Sequence, residues 1–250
     1  MYAWKCWFDT RSRFVTLLVL CAVLLALSVV PAALVHTAHG WVLVRGGTPS
    51  RVARVWGIAA GSGLVVWGTF VMSLVGLVLG SSGMPGDCNK ETIYFLLTRP
   101  RRRGYFVWTG FAVGAGETLA ITSLGVLAAF LMLVYLTGRV YTWRFFGVIP
   151  IFGVGTLVVY GQTFLLGILS RSTQDGITYS LGLFLAEVSL PVAVNRFWNV
   201  HAPSFLQLMA DPRWLFGHGV HFPIYGVLGW SLVALSCPVV AQWVFARIQL

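Results

Sequence analysis

Apolar residues run along this chain in six blocks, at 14–35, 56–80, 105–137, 145–169, 177–195 and 224–245, with polar stretches between them. A helix that crosses a bilayer needs about twenty mostly apolar residues, and every block qualifies. The third is long enough to tilt or to begin as an interfacial segment. An even number of crossings puts both termini on one side. Ahead of the first block, residues 1–13 mix Trp4, Trp7 and Phe8 with Lys5, Arg11 and Arg13. That mixture predicts a short helix lying on the inner leaflet, or else a frayed tail carrying aromatic-belt residues. The expected fold is an all-α integral membrane protein: six transmembrane helices and a short N-terminal interfacial helix, forming one membrane domain over 1–250.

The connections differ in kind. Residues 36–55 and 196–223 are long outer connections, and 138–144 is short. The stretch 197–209 is too apolar for a free loop. It is expected to dip back into the outer leaflet as a re-entrant or interfacial helix, which requires protein or water to satisfy its backbone.

Composition closes off the soluble classes. Hydrophobic residues make up 58% of the 250 and charged residues 10%, against about 25% charged in soluble domains. The mean hydropathy of +0.83 agrees. The net charge of +10 would suggest nucleic acid in a soluble protein. Here the arginines flank apolar blocks, where they anchor spans and meet anionic lipid head groups, so membrane lipids are expected partners and nucleic acid is not.

Orientation follows from the basic residues. With the N-terminus inside, the inner segments hold Lys5, Arg11, Arg13, Lys90, Arg99, Arg101, Arg102, Arg103, Arg171 and Arg247. The outer segments hold Arg45, Arg51, Arg54, Arg139, Arg144, Arg196 and Arg213. The inner majority favours cytoplasmic termini. The first block is preceded by charge, is too long for a signal h-region and lacks a small-residue cleavage site, so it is expected to stay as a span.

The densest charge lies in 81–104, between the second and third blocks. Gly83, Pro85 and Gly86 signal a turn, and Asp87 or Asn89 can cap a helix start. On that helix Ile93, Leu96 and Leu97 share one face, with Glu91 and Thr98 opposite. Pro100 pushes Arg99 out of the helical region and ends the run. Arg101–Arg103 follow, then Tyr105, Phe106 and Trp108 at the level of an aromatic belt. An apolar face to dock, cations to orient it and a span at each end make an element through which a partner could move two helices together. The same residues also suit a loop whose arginines anchor to lipid.

The run Glu91-Thr92, then Phe95-Leu96-Leu97-Thr98-Arg99-Pro100 and Arg103, placed after the second of six spans, resembles the permease subunits of type-2 ATP-binding-cassette transporters. The residue likeness covers 91 to about 110. The layout likeness covers most of the chain, through the six spans, the N-terminal interfacial segment and the long last outer connection. Many relatives carry Gly where this chain has Glu91, and Lys after Gly where it has Gly110-Phe111.

The resemblance implies a cytoplasmic coupling helix seated in a cleft of a separate ATPase subunit. Glu91, Ile93, Leu96, Leu97, Arg99, Pro100 and Arg103 would then be the ATPase-coupling residues. It implies an exporter in the plasma (inner) membrane, with a second permease copy or a related permease completing the path. The chain has no G-x-x-x-x-G-K-[ST], and its lysines are Lys5 and Lys90 alone. ATP and Mg would therefore be held by the partner subunit, and no cofactor or catalytic residue is expected on this chain.

Glu117 and Glu187 are the only acids inside the predicted spans. Ionisable groups in lipid are costly and normally face a bundle interior or a wet cavity. They could line a substrate or proton path, sit protonated and hydrogen-bonded across helices, or lie high enough to reach water. His36/His39, His218/His221 and His201 all fall on the outer side, which admits a redox or metal-binding protein as an alternative. No nearby set of ligands completes such a site, so no metal is expected. A non-catalytic membrane scaffold with a lipid-binding loop is the remaining reading. Cys6, Cys21, Cys88 and Cys237 show no metal or disulfide spacing. Gly76-x-x-x-Gly80 and Gly110-x-x-x-Gly114 are spaced for close helix packing.

Overall fold

A backbone surrounded by apolar side chains must pair its own amides, and long helices are the way this chain does so. The computed structural model describes residues 2–37, 40–43, 64–81, 103–137, 146–170, 173–198, 205–210 and 222–247. In order these form α1 (Tyr2–Ala33), β1 (Leu34–Thr37), β2 (Gly40–Leu43), α2 (Leu64–Gly80) and α3 (Arg103–Thr137). They continue as α4 (Val148–Leu169), α5 (Thr173–Trp198), α6 (Phe205–Ala210) and α7 (Ile224–Arg247).

Two elements differ from the sequence reading. Helix α1 runs unbroken over 32 residues, so the expected interfacial segment and the first expected crossing are one rod. No glycine or proline stands between Tyr2 and Val30 to part them, and without such a breaker the helix continues. The second difference is a short antiparallel hairpin, β1 with β2, pairing Leu34 with Leu43 and Thr37 with Gly40. Val35, Thr37, Trp41 and Val42 are β-favouring residues, but two four-residue strands are too short to leave a period in the sequence.

Helix α4 is the centre. Its residues are buried on nearly every face, and α2, α3, α5, α6 and α7 all pack on it. The backbones of α2 and α4 approach closely. A methyl on Gly76 would come within 2.8 Å of Thr156 O, and one on Gly80 within 2.7 Å of Tyr160 O. Only glycine permits that approach, as the Gly-x-x-x-Gly spacing anticipates. Helix α5 is attached more narrowly. It buries one stripe, Gly176, Ser180 and Phe184 at every fourth residue, and leaves its other faces open.

Most buried hydroxyls are satisfied within their own helices. Thr118 donates to Gly114 O at 2.7 Å, Thr122 to Thr118 O at 2.9 Å, Thr156 to Phe152 O at 2.7 Å and Thr163 to Val159 O at 2.9 Å. This return bond to the carbonyl four residues back lets polar side chains sit in an apolar interior.

Helix directions follow from which residues meet. Gly76 faces Thr156 and Gly80 faces Thr163, so α2 and α4 run the same way. Gly114 faces Tyr160 and Gly153 faces Leu119, so α3 opposes α4. Gly176 sits beside Ser170 while Glu187 bonds Gln162, so α5 folds back along α4. Gln242 of α7 covers Gly104 at the start of α3.

Among the described residues, three helical stretches are long and apolar enough to cross a membrane: Gly104–Met132, Val148–Leu169 and Ile224–Arg247. At 1.5 Å per residue, α4 is roughly 33 Å long, close to the ~30 Å of a hydrocarbon core. The sequence reading expects six crossings, so three of the expected six meet that standard. Helix α2 is described over 17 residues, short of a full span, and α5 interleaves Gln174, Asp175, Glu187 and Arg196 with its apolar residues.

Candidate functional site

Of the expected coupling residues, Glu91, Ile93, Leu96, Leu97, Arg99 and Pro100 lie outside the described residues, and Arg103 is the first residue of α3. Of the two helix ends flanking that segment, α2 closes on its own last turn and α3 is tied across the bundle. At the end of α2, Ser81 N–H donates to Leu77 O at 3.2 Å and its hydroxyl to Val78 O at 3.0 Å. At the start of α3, Trp108 Nε1 donates to Gln242 Oε1 of α7 at 2.6 Å. A methyl on Gly104 would press on the same Gln242 side chain at 2.9 Å.

Tyr160 of α4 joins these flanking helices. It is 2% exposed, and its hydroxyl donates to Phe111 O of α3 at 3.2 Å, with Gly110 O at 3.5 Å. Its ring lies 5.3 Å from that of Phe111 and 6.0 Å from that of Phe164. A side chain at Gly114 would collide with its phenol, and one at Gly80 with its backbone carbonyl. Helices α2 and α3 therefore converge on one residue. Sequence reasoning did not single out Tyr160. The available signal was a tyrosine in mid-span with two Gly-x-x-x-Gly pairs elsewhere waiting for a partner.

The two acids expected inside spans occupy separate seams. Glu117 of α3 is 3% exposed. Its Oε1 pairs with the Thr10 hydroxyl of α1, and its Oε2 has no hydrogen-bond partner among the described residues. Glu187 of α5 is half-buried, and its Oε1 accepts from Gln162 Nε2 of α4 at 2.5 Å. Its Oε2 is likewise unpartnered among the described residues. Cys237 of α7 stands close by, 3.2 Å from a methyl built on Gly161. One acid thus ties α1 to α3 and the other ties α4 to α5. Among the described residues neither belongs to a group of three or more His, Cys, Asp or Glu that could hold a metal ion.

His36 lies in β1 opposite Trp41. His39, His201, His218 and His221 fall outside the described residues. Among the described residues no cluster of three or more His, Cys, Asp or Glu could hold a metal ion. Within the connection expected at 196–223, α6 packs inward. Phe205 lies against Trp230 at 5.7 Å, and Met209 fills the space over Gly155.

No known family model matches the chain, and comparison with curated proteins finds no match.

Proposed function

We propose that this chain is the membrane-spanning permease subunit of an ATP-binding-cassette exporter, with six crossings and cytoplasmic termini. A separate ATPase subunit would hold ATP and Mg and grip the segment between α2 and α3. A second permease copy or a related permease would complete the path. The observation that carries this reading is the seating of α2 and α3 on Tyr160. Helices that share a rigid, glycine-lined contact with one residue move as a unit, because packed interiors do not deform continuously. A push on the segment between them would reach α4 and, through Gln162, α5.

Arg103 would orient the segment at the head of α3. Glu91, Ile93, Leu96, Leu97, Arg99 and Pro100 would make the docking surface, and Glu117 and Glu187 would stand beside the path. Leu96→Asp places a charge on the docking face without touching a span. It is expected to abolish co-purification of a nucleotide-binding subunit while membrane insertion stays normal. Undiminished co-purification with the variant would defeat the assignment.

A further inference from the structure

We propose that Glu117 is a proton-binding site, and that its bound proton is the hydrogen joining α3 to Thr10 of α1. A threonine hydroxyl carries one hydrogen and donates one bond. Thr10 Oγ1 stands 2.9 Å from Cys6 O, in the same return geometry that Thr118, Thr122, Thr156 and Thr163 adopt in this bundle. Trp7 O, at 3.3 Å, is the more distant acceptor on the same helix. With the hydroxyl hydrogen given to the helix, the contact between Thr10 Oγ1 and Glu117 Oε1 brings two oxygens together and needs a second hydrogen. The carboxyl is the group that can supply it.

The other oxygen of Glu117 points the same way. Its Oε2 is buried without a partner among the described residues. As the carbonyl oxygen of a neutral acid, it forgoes one hydrogen bond. As half of a carboxylate, it would leave a charge in a low-dielectric interior, which costs far more.

The described surroundings offer no cation. Thr10 faces Glu117 from α1, and Tyr160, which also has Cys6 of α1 beside it, faces it from α4 with its hydroxyl turned to Phe111 O. Helix α2 has no ionisable residue between Leu64 and Ser81. On α7, Arg247 is exposed and stacks on Trp243 at 3.6 Å, while Cys237 sits against Gly161 of α4. Arg11 and Arg13 of α1 are exposed. The side chains of Lys5 and Asp9, also on α1, lie outside the described residues.

The proton comes from water and returns to it. Its release would strand a negative charge in the seam, so α1 and α3 must then part or admit water. Proton occupancy thereby latches the first helix to the third. This inference does not depend on the identity of any partner subunit.

Infrared difference spectra of the purified, detergent-solubilised full chain test it. At neutral pH, wild type minus Glu117→Gln is expected to show the carbonyl stretch of a hydrogen-bonded carboxylic acid. Thr10→Val should move that band to the frequency of an acid without an acceptor. Loss of carboxylate bands alone in Glu117→Gln, or an unmoved band in Thr10→Val, overturns the proposal. Should Glu117→Gln not assemble, Thr10→Val against wild type still decides. Thermal unfolding supplies a second readout. A native state that holds a proton the unfolded chain releases loses stability as pH rises. The midpoint should therefore fall with pH in wild type and fall less steeply in Glu117→Gln, whose amide can still donate to Thr10. Equal pH dependence in both overturns the proposal.

Discussion

Tyr160 meets the backbone of α2 through its own main chain and the backbone of α3 through its phenol. Removing only the hydroxyl, as in Tyr160→Phe, keeps the ring contacts and loses the bond to Phe111 O, a cost of about 1 kcal/mol. A modest drop in the thermal midpoint of the solubilised protein would register it. Gly114→Ala pushes a methyl into the same phenol and is expected to cost roughly 1–3 kcal/mol. Because the phenol oxygen is the first atom that methyl would strike, the penalty should shrink in a Tyr160→Phe background. Equal penalties in both backgrounds would show that the clash lies elsewhere. At this scale the sequence reveals one side of each pairing. Glu117 and Glu187 stand out as acids among apolar residues, and Gly76, Gly80 and Gly114 by their spacing. Thr10, Gln162 and Tyr160 do not, because their partners are 107, 25 and 49 residues away. Most buried hydroxyls here bond only their own helix, so nothing local marks the one that reaches across.

Among the elements, α3, α4, α5 and α7 begin and end within a few residues of the apolar blocks that predict them. An uninterrupted apolar run in this composition has little else to become. Continuity was harder to read. The charges of residues 5–13 suggested a break before the first crossing, yet charge alone does not stop a helix, and α1 continues through them. The hairpin was not legible either, since two four-residue strands leave no period in the sequence. The apolar run 197–209 marked a helix, but its seat over Gly155 depends on residues far along the chain. Helix α5 invites a test at this scale. It rests on α4 through the stripe of Gly176, Ser180 and Phe184 and through the bond from Gln162 to Glu187. Gln162→Leu removes the donor and leaves the carboxyl unpaired. Amide hydrogen exchange in α5 should speed by roughly tenfold, the factor for a lost buried hydrogen bond, while α4 stays protected. Unchanged exchange in α5 would mean that the stripe alone holds the helix.

For the whole molecule, the helix directions place the start of α3 and the ends of α2, α4 and α7 at one end of the bundle. Under the proposed orientation that end faces the cytosol. Cys88 lies in the segment between α2 and α3, which makes it a natural reporter. With Cys6, Cys21 and Cys237 replaced by serine, a membrane-impermeant maleimide should label intact cells poorly and permeabilised cells well. Strong labelling of intact cells would invert the molecule and remove the proposed docking segment from the reach of any cytosolic ATPase. The outer surface of the bundle is apolar, with Leu228, Leu232, Leu235 and Val239 of α7 exposed at helical spacing. That face is suited to acyl chains, and the composition of the sequence foretold it.

The enclosure of α4 also bears on how the molecule is made. Helices α1, α2 and α3 are synthesised before residue 148 is added, and the grooves at Gly76, Gly80 and Gly114 are cut to receive a helix not yet made. Until it arrives they can be filled only by lipid or by a chaperone. A nascent chain stalled short of α4 would then be a ready target for membrane proteases, and truncated products of that length should be cleared from cells.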